Sequence, residues 1–188
     1  MTTFNELPPN LPAPEDDGGA AHLVGLRLPA LSLPSTQGGV IDLGQTPGTW
    51  VIFCYPLTGR PGVPMPEGWD QIPGARGCTP QSCAFRDRHA ALTSLGATVV
   101  GLSVQATDYQ QEMAERLHLP FAVLSDSAYR FQQALRLPTF VASGMTLLRR
   151  LTLVARDGVI VAVHYPVFPS DQDADWVLDC LRQHPASD

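Results

Sequence analysis

Residues 77–104 read GCTPQSCAFRDRHAALTSLGATVVGLSV, and two periodicities meet within them. From residue 80 to 95, Ala84, Phe85, Ala91, Leu92 and Leu95 form an apolar stripe at helical spacing, and Gly96 stands where a helix stops. Residues 97–104 are a continuous apolar, β-branched run, the pattern of a buried strand. Upstream, residues 49–55 (TWVIFCY) form a second such strand. Strand, helix and strand in that order imply a parallel pair joined by a crossover helix.

The alternation continues outward. Tyr109, Met113 and Leu117 share one face of a helix over 107–117, a strand follows at 121–124, and a short helix spans 128–135. Residues 147–155 and 159–165 flank Arg156-Asp157-Gly158, which reads as a hairpin turn. A last helix over 171–183 has aspartates at its N-terminus, where the helix dipole favours them, and Trp176, Val177, Cys180 and Leu181 on its apolar face. The expectation is an α/β fold with a mixed central sheet, parallel where helices intervene and antiparallel at the hairpin.

A chain of 188 residues suits one domain. Charged residues make up only 16%, against about 25% in ordinary globular proteins, while 44% are hydrophobic, which excludes a disordered polyelectrolyte. Net charge is −6 with no basic run, which argues against nucleic acid or an anionic membrane as partner. All 12 basic residues are arginine, so neither a Schiff-base lysine nor a P-loop lysine is available. The first twenty residues lack the charged start and apolar stretch of a signal peptide, and no run approaches the ~20 apolar residues of a membrane span. The expected location is cytoplasmic. Residues 7–19 carry four prolines, so residues 1–22 read as a mobile tail and 23–188 as a single domain. Residues 58–77, broken by Pro61, Pro64, Pro66 and Pro73, read as a long loop, mobile in the reduced protein, inserted before the first helix.

Cys78 and Cys83 are the candidates for chemistry. Pro80 suits a first helical turn and Thr79 is a plausible N-cap, which places Cys78 at a helix N-terminus, where backbone N–H groups favour a thiolate. Residues five apart in an ideal helix have Cα atoms about 8–9 Å apart, whereas a disulfide needs about 4.4–6.8 Å. The two cysteines can therefore pair only if the helix start unwinds. A packing role for both is the plain alternative. Zinc wants four ligands at tight spacing and nothing here offers them, so no metal is expected.

The segment GCTPQSCAFRD resembles the active-site signature of the peroxiredoxins, in particular the peroxiredoxin Q / bacterioferritin-comigratory-protein subfamily. The flanks are similar in the same order: LPALSL at 28–33 with 38–43, VIFCYP at 51–56, LGATVVGLSVQ, LPFAVLSD, and RLTLV at 150–154 with Asp157-Gly158. The resemblance implies a thioredoxin-like fold with peroxiredoxin additions, no cofactor, and a thiol peroxidase acting on hydrogen peroxide and organic hydroperoxides. It implies Cys78 as the peroxidatic and Cys83 as the resolving cysteine, with an intramolecular disulfide between them. It also implies Arg150 as the arginine that activates the thiolate, Gln81 as its neighbour, thioredoxin or a similar dithiol as reductant, and a monomer. The family's Thr or Ser three residues before the peroxidatic cysteine, and its Pro seven before, are here Ala75 and Gln71. Thr58, just after Pro56, is the candidate for the missing hydroxyl. A peroxide-responsive sensor with little turnover is the alternative function.

Of the remaining residues, Cys54 and Cys180 read as core thiols, Arg86 and Asp87 as a local salt bridge, and Trp69 as an anchor for the inserted loop. Arg149 and Arg150 alternate along a presumed strand, so only one can face the site. The five histidines show no ligand spacing.

Overall fold

The computed structural model describes residues 7–185. A five-stranded sheet in the order β5-β4-β3-β8-β9 forms the centre, from β3 (Thr49–Cys54), β4 (Ala97–Ser103), β5 (Ala122–Ser125), β8 (Leu151–Arg156) and β9 (Val159–His164). β3, β4 and β5 run parallel, and β8 and β9 add antiparallel strands beside β3, so the sheet is mixed as expected. Among the described residues four α-helices accompany it: α1 (Cys78–Ser94), α2 (Thr107–Arg116), α3 (Arg130–Leu135) and α4 (Asp173–Gln183). Two small hairpins lie outside it, β1 (Ser32–Pro34) with β2 (Val40–Asp42), and β6 (Thr139–Ala142) with β7 (Met145–Leu148).

β3 explains the layering. Its side chains alternate between two apolar clusters, and both faces are buried. Trp50, Ile52 and Cys54 face a cluster containing Phe131 and Leu135 of α3 and Ala20, Leu23 and Leu28 of the N-terminal segment. Val51, Phe53 and Tyr55 face Phe85 and Leu92 of α1, Met113 of α2, and Val177, Leu178 and Leu181 of α4. Phe53 stacks on Phe85 with centroids 4.4 Å apart. Gly101 on β4 makes room for that ring, because a Cβ there would lie 2.9 Å from it.

Several boundaries differ from the sequence expectation. The presumed strand over 147–155 is two strands, broken at Arg149 and Arg150. The last helix begins at Asp173, after a short 3-10 turn at Ser170–Gln172. The N-cap of α1 is Gly77, not Thr79, which lies inside the first turn. Gly77 has φ 109°, a conformation natural to glycine.

The inserted loop over 58–77 is packed. It contains a 3-10 turn, Trp69–Gln71, and a small apolar cluster in which Trp69 and Ala75 meet Ala142 and Leu147. Trp69 is therefore the anchor. Residues 1–6 of the expected tail lie outside the described residues, while residues 7–22 lie against the domain. Asp17 accepts a hydrogen bond from Tyr165 at 2.7 Å, and Ala20 is buried in the same cluster as Leu23, so packing does not break at residue 22. No helix among the described residues is long and apolar enough to cross a membrane.

Candidate active site

The site lies where β3 ends and α1 begins. Antiparallel pairing sets Leu151 beside Cys54, so Arg150, one residue before β8, emerges at the end of the sheet where β3 stops. Cys78 is the first residue of α1 and is buried. The break between β7 and β8 frees the two arginines from strand alternation. Arg150 turns inward and is 4% exposed, while Arg149 turns outward towards Asp17 at 3.6 Å.

Arg150 organises the first turn of α1. Its Nη2 donates to the carbonyls of Ala75 and Arg76 at 3.0 and 3.2 Å and lies 3.2 Å from Cys78 Sγ. Its Nη1 donates to Gln81 Oε1. The sulfur thus sits against the planar, permanently charged end of Arg150. Gly77 completes the turn. Its carbonyl accepts from Gln81 N at 3.0 Å and from Ser170 Oγ at 2.9 Å. A Cβ at this position would overlap Ser170 Oγ and lie 2.8 Å from Leu7.

Thr58 lines a recess of about 10 Å³ shared with Met65, Trp69 and Cys78. Its N–H and hydroxyl both donate to Gln105 Oε1, at 3.0 and 3.1 Å. Gln105, not singled out in the sequence, thus pins the inserted loop beside the cysteine. Cys83 is not brought to Cys78. It lies five residues along the same intact helix, and it opens onto a separate surface cleft of about 450 Å³ that Pro80, Asp87, Arg88 and Asp175 also line. All four cysteines are free thiols. Burial pushes the Cys83 thiol above its ordinary value, with Arg86 acting the other way. Cys54 is fully buried and pushed up further by the same cause. Arg86 and Asp87 form the expected local ion pair at 2.8 Å. No group of three or more His, Cys, Asp or Glu among the described residues could hold a metal ion.

Behind Gln81 lies a second polar layer that spacing does not reveal. Asp173 is completely buried. Its Oδ2 accepts from Gln81 Nε2 at 2.7 Å and from Thr152 Oγ1 at 2.6 Å, and its Oδ1 lies 2.7 Å from His164 Nδ1. Thr152 and His164 are direct cross-strand partners on β8 and β9, which explains why they reach one carboxylate.

A model of the redoxin family matches residues 23–178. The chain belongs to the redoxin family. Among the similar proteins, this redoxin is 28% identical to a chloroplastic peroxiredoxin Q of Sedum lineare over 176 residues, 93% of this chain and 86% of the relative. It is 27% identical to the peroxiredoxin Bcp of Bacillus subtilis over 112 residues, 59% of this chain and 62% of the relative. These relatives place the redoxin in the peroxiredoxin Q/Bcp subfamily. Its fold superposes on the crystal structure of the peroxidoxin BcpB from Mycobacterium tuberculosis with a TM-score of 0.70 at 24% identity, over 87% of this chain and 98% of that one. The fold is therefore thioredoxin-like, of the peroxiredoxin type.

Proposed function

We propose that the protein is a thiol peroxidase in which Cys78 is the nucleophile and Cys83 the resolving thiol. The observation that carries this reading is the 3.2 Å contact between Arg150 Nη2 and Cys78 Sγ at the start of α1. The Cys78 thiolate attacks one peroxide oxygen and the O–O bond breaks. Sulfur is oxidised by two electrons to a sulfenic acid, and the other oxygen leaves as hydroxide or alkoxide and takes up a proton. Arg150 stabilises the sulfur anion and the charge that spreads over the breaking bond. The Cys83 thiol then displaces water from the sulfenic acid, forming a Cys78–Cys83 disulfide. That step needs the first turns of α1 to unwind, since the helix separates the two sulfurs. An external dithiol, thioredoxin or a similar protein, restores both thiols by exchange. Gln81 and Thr58 support the site by holding Arg150 and the loop. Hydrogen peroxide and small organic hydroperoxides are the substrates.

The test is rapid mixing of reduced protein with one equivalent of hydrogen peroxide, followed by peptide mass mapping. The expected result is fast consumption and a Cys78–Cys83 disulfide. Cys78→Ser should abolish consumption. Cys83→Ser should consume about one equivalent and then stop turning over. Slow consumption with Cys78 still a thiol would overturn the reading in favour of a sensor.

A further inference from the structure

The buried layer behind Gln81 has no part in the proposed chemistry, yet it ties α1 to β8, β9 and α4 through one carboxylate. Gln81 sits between two charged groups of opposite demand. Arg150 has only donors to offer and a carboxylate has only acceptors, so the amide fits in one orientation, with its oxygen towards Arg150 and its NH2 towards Asp173. Asp173 therefore fixes the polarity of Gln81, and Gln81 in turn aims Arg150. Three donors surround the Asp173 carboxylate, from Gln81, Thr152 and His164. It is also the first residue of α4, where the helix dipole favours an anion. His164 is held in turn by stacking on Trp176, with centroids 4.5 Å apart.

Gln81 lies between Cys78 and Cys83 in the chain. Unwinding the start of α1 must therefore pull Gln81 out of this network, and both Arg150 and Asp173 lose a buried hydrogen bond when it goes. We infer that Asp173, positioned by Thr152 and His164, is a latch: it holds the first turn of α1 in the peroxide-reactive form and opens when the disulfide forms. The inference rests on the assignment of Cys78 and Cys83 above. Asp173 touches no reacting atom and is a positioning residue. Because the latch stabilises only the folded dithiol form, its loss acts in opposite directions on the two half-reactions. Attack on peroxide slows, because Arg150 is no longer aimed. Disulfide formation quickens, because the turn opens more readily.

Two variants test this. Asp173→Asn keeps the shape and removes the charge. His164→Phe, at a partly exposed position, keeps a ring against Trp176 and removes only the hydrogen bond, so it guards against loss of fold. Stopped-flow single turnovers should show sulfenic acid formation slowed about tenfold or more in Asp173→Asn and less in His164→Phe, with disulfide formation accelerated in both. The reduction potential of the Cys78–Cys83 couple should become more negative in both, by about 30 mV for a tenfold change in equilibrium. A purely structural role would lower melting temperature and leave the potential and the ratio of the two rates where they were, and that result overturns the latch alone. A wild-type protein that consumes peroxide poorly and forms no Cys78–Cys83 disulfide would overturn the peroxidase reading and the latch with it.

Discussion

Arg150 uses one nitrogen for Ala75 O, Arg76 O and Cys78 Sγ and the other for Gln81 Oε1. Only a planar fork can serve acceptors on two sides at fixed angles. Lysine would keep the charge and lose the geometry. Arg150→Lys should therefore slow the first reaction with peroxide by about 10- to 100-fold, the equivalent of one charged hydrogen bond at roughly 1.5–3 kcal/mol. Single-turnover kinetics decide it, and an unchanged rate would mean that charge alone suffices. The family motif makes Cys78, Gln81 and Arg150 readable from sequence, and the structure brings the three together. Asp173 and His164 were not readable. Asp173 looks like one of several acids at a helix start, and His164 like a histidine with no partner at ligand spacing. His164 meets Asp173, and Asp173 meets Gln81 across 92 residues of chain, a distance over which no periodicity carries information.

At the scale of elements, the inserted loop decides what reaches Cys78. Pro and Gly content shows that residues 58–77 are neither helix nor central strand, and so they read as mobile. Composition does not show that Trp69 and Ala75 find partners in Ala142 and Leu147, because β6 itself was not foreseen. The Ser143-Gly144 pair, at φ 48° and 76°, was the missed signal of a tight hairpin turn there. Packed as it is, the loop narrows the recess at Cys78 to about 10 Å³, with Met65 and Trp69 in its wall, room for one water-sized guest. Hydrogen peroxide should therefore react faster than a bulky hydroperoxide such as cumene hydroperoxide. Met65→Ala should raise the rate for the bulky substrate relative to hydrogen peroxide by several fold. Competition between the two substrates gives the ratio directly, and a ratio unmoved by the substitution would place the entrance elsewhere.

The whole molecule is a sheet with a core on each side, and the N-terminal segment closes one of them. The apolar runs at 49–55 and 97–104 show that their strands are buried on both faces. They do not show what covers each face, and the proline-rich start of the chain is no obvious candidate. In the structure Asp17 ties this segment to the connection after β9. It accepts from Tyr165 at 2.7 Å and lies 3.6 Å from Arg149, the immediate neighbour of Arg150. The Tyr165 hydrogen bond, helped by the N–H of Gly19 and the charge of Arg149, holds the Asp17 carboxyl below its ordinary 3.8. A depressed carboxyl contributes stability in full above its unfolded value and loses it as pH falls through the folded value. Asp17 is about half exposed, so solvent screening limits the contribution to at most about 1 kcal/mol. Asp17→Asn should then melt about 1–3 °C below the wild type at pH 7. The gap should persist at pH 5, begin to shrink as pH falls past 3.8 where the unfolded chain takes up its proton, and close below the folded value, where both proteins carry a neutral group at position 17. Asp175, also depressed through its bond to Arg88, is lost in the same acid range. It is present in both proteins, however, so it cancels in the difference. Thermal melts of the pair at pH 7, 5 and 3 make the comparison. A gap of equal size at pH 3 would show that Asp17 acts through shape and not through charge, and that the segment is held by the burial of Ala20 and Leu23 instead.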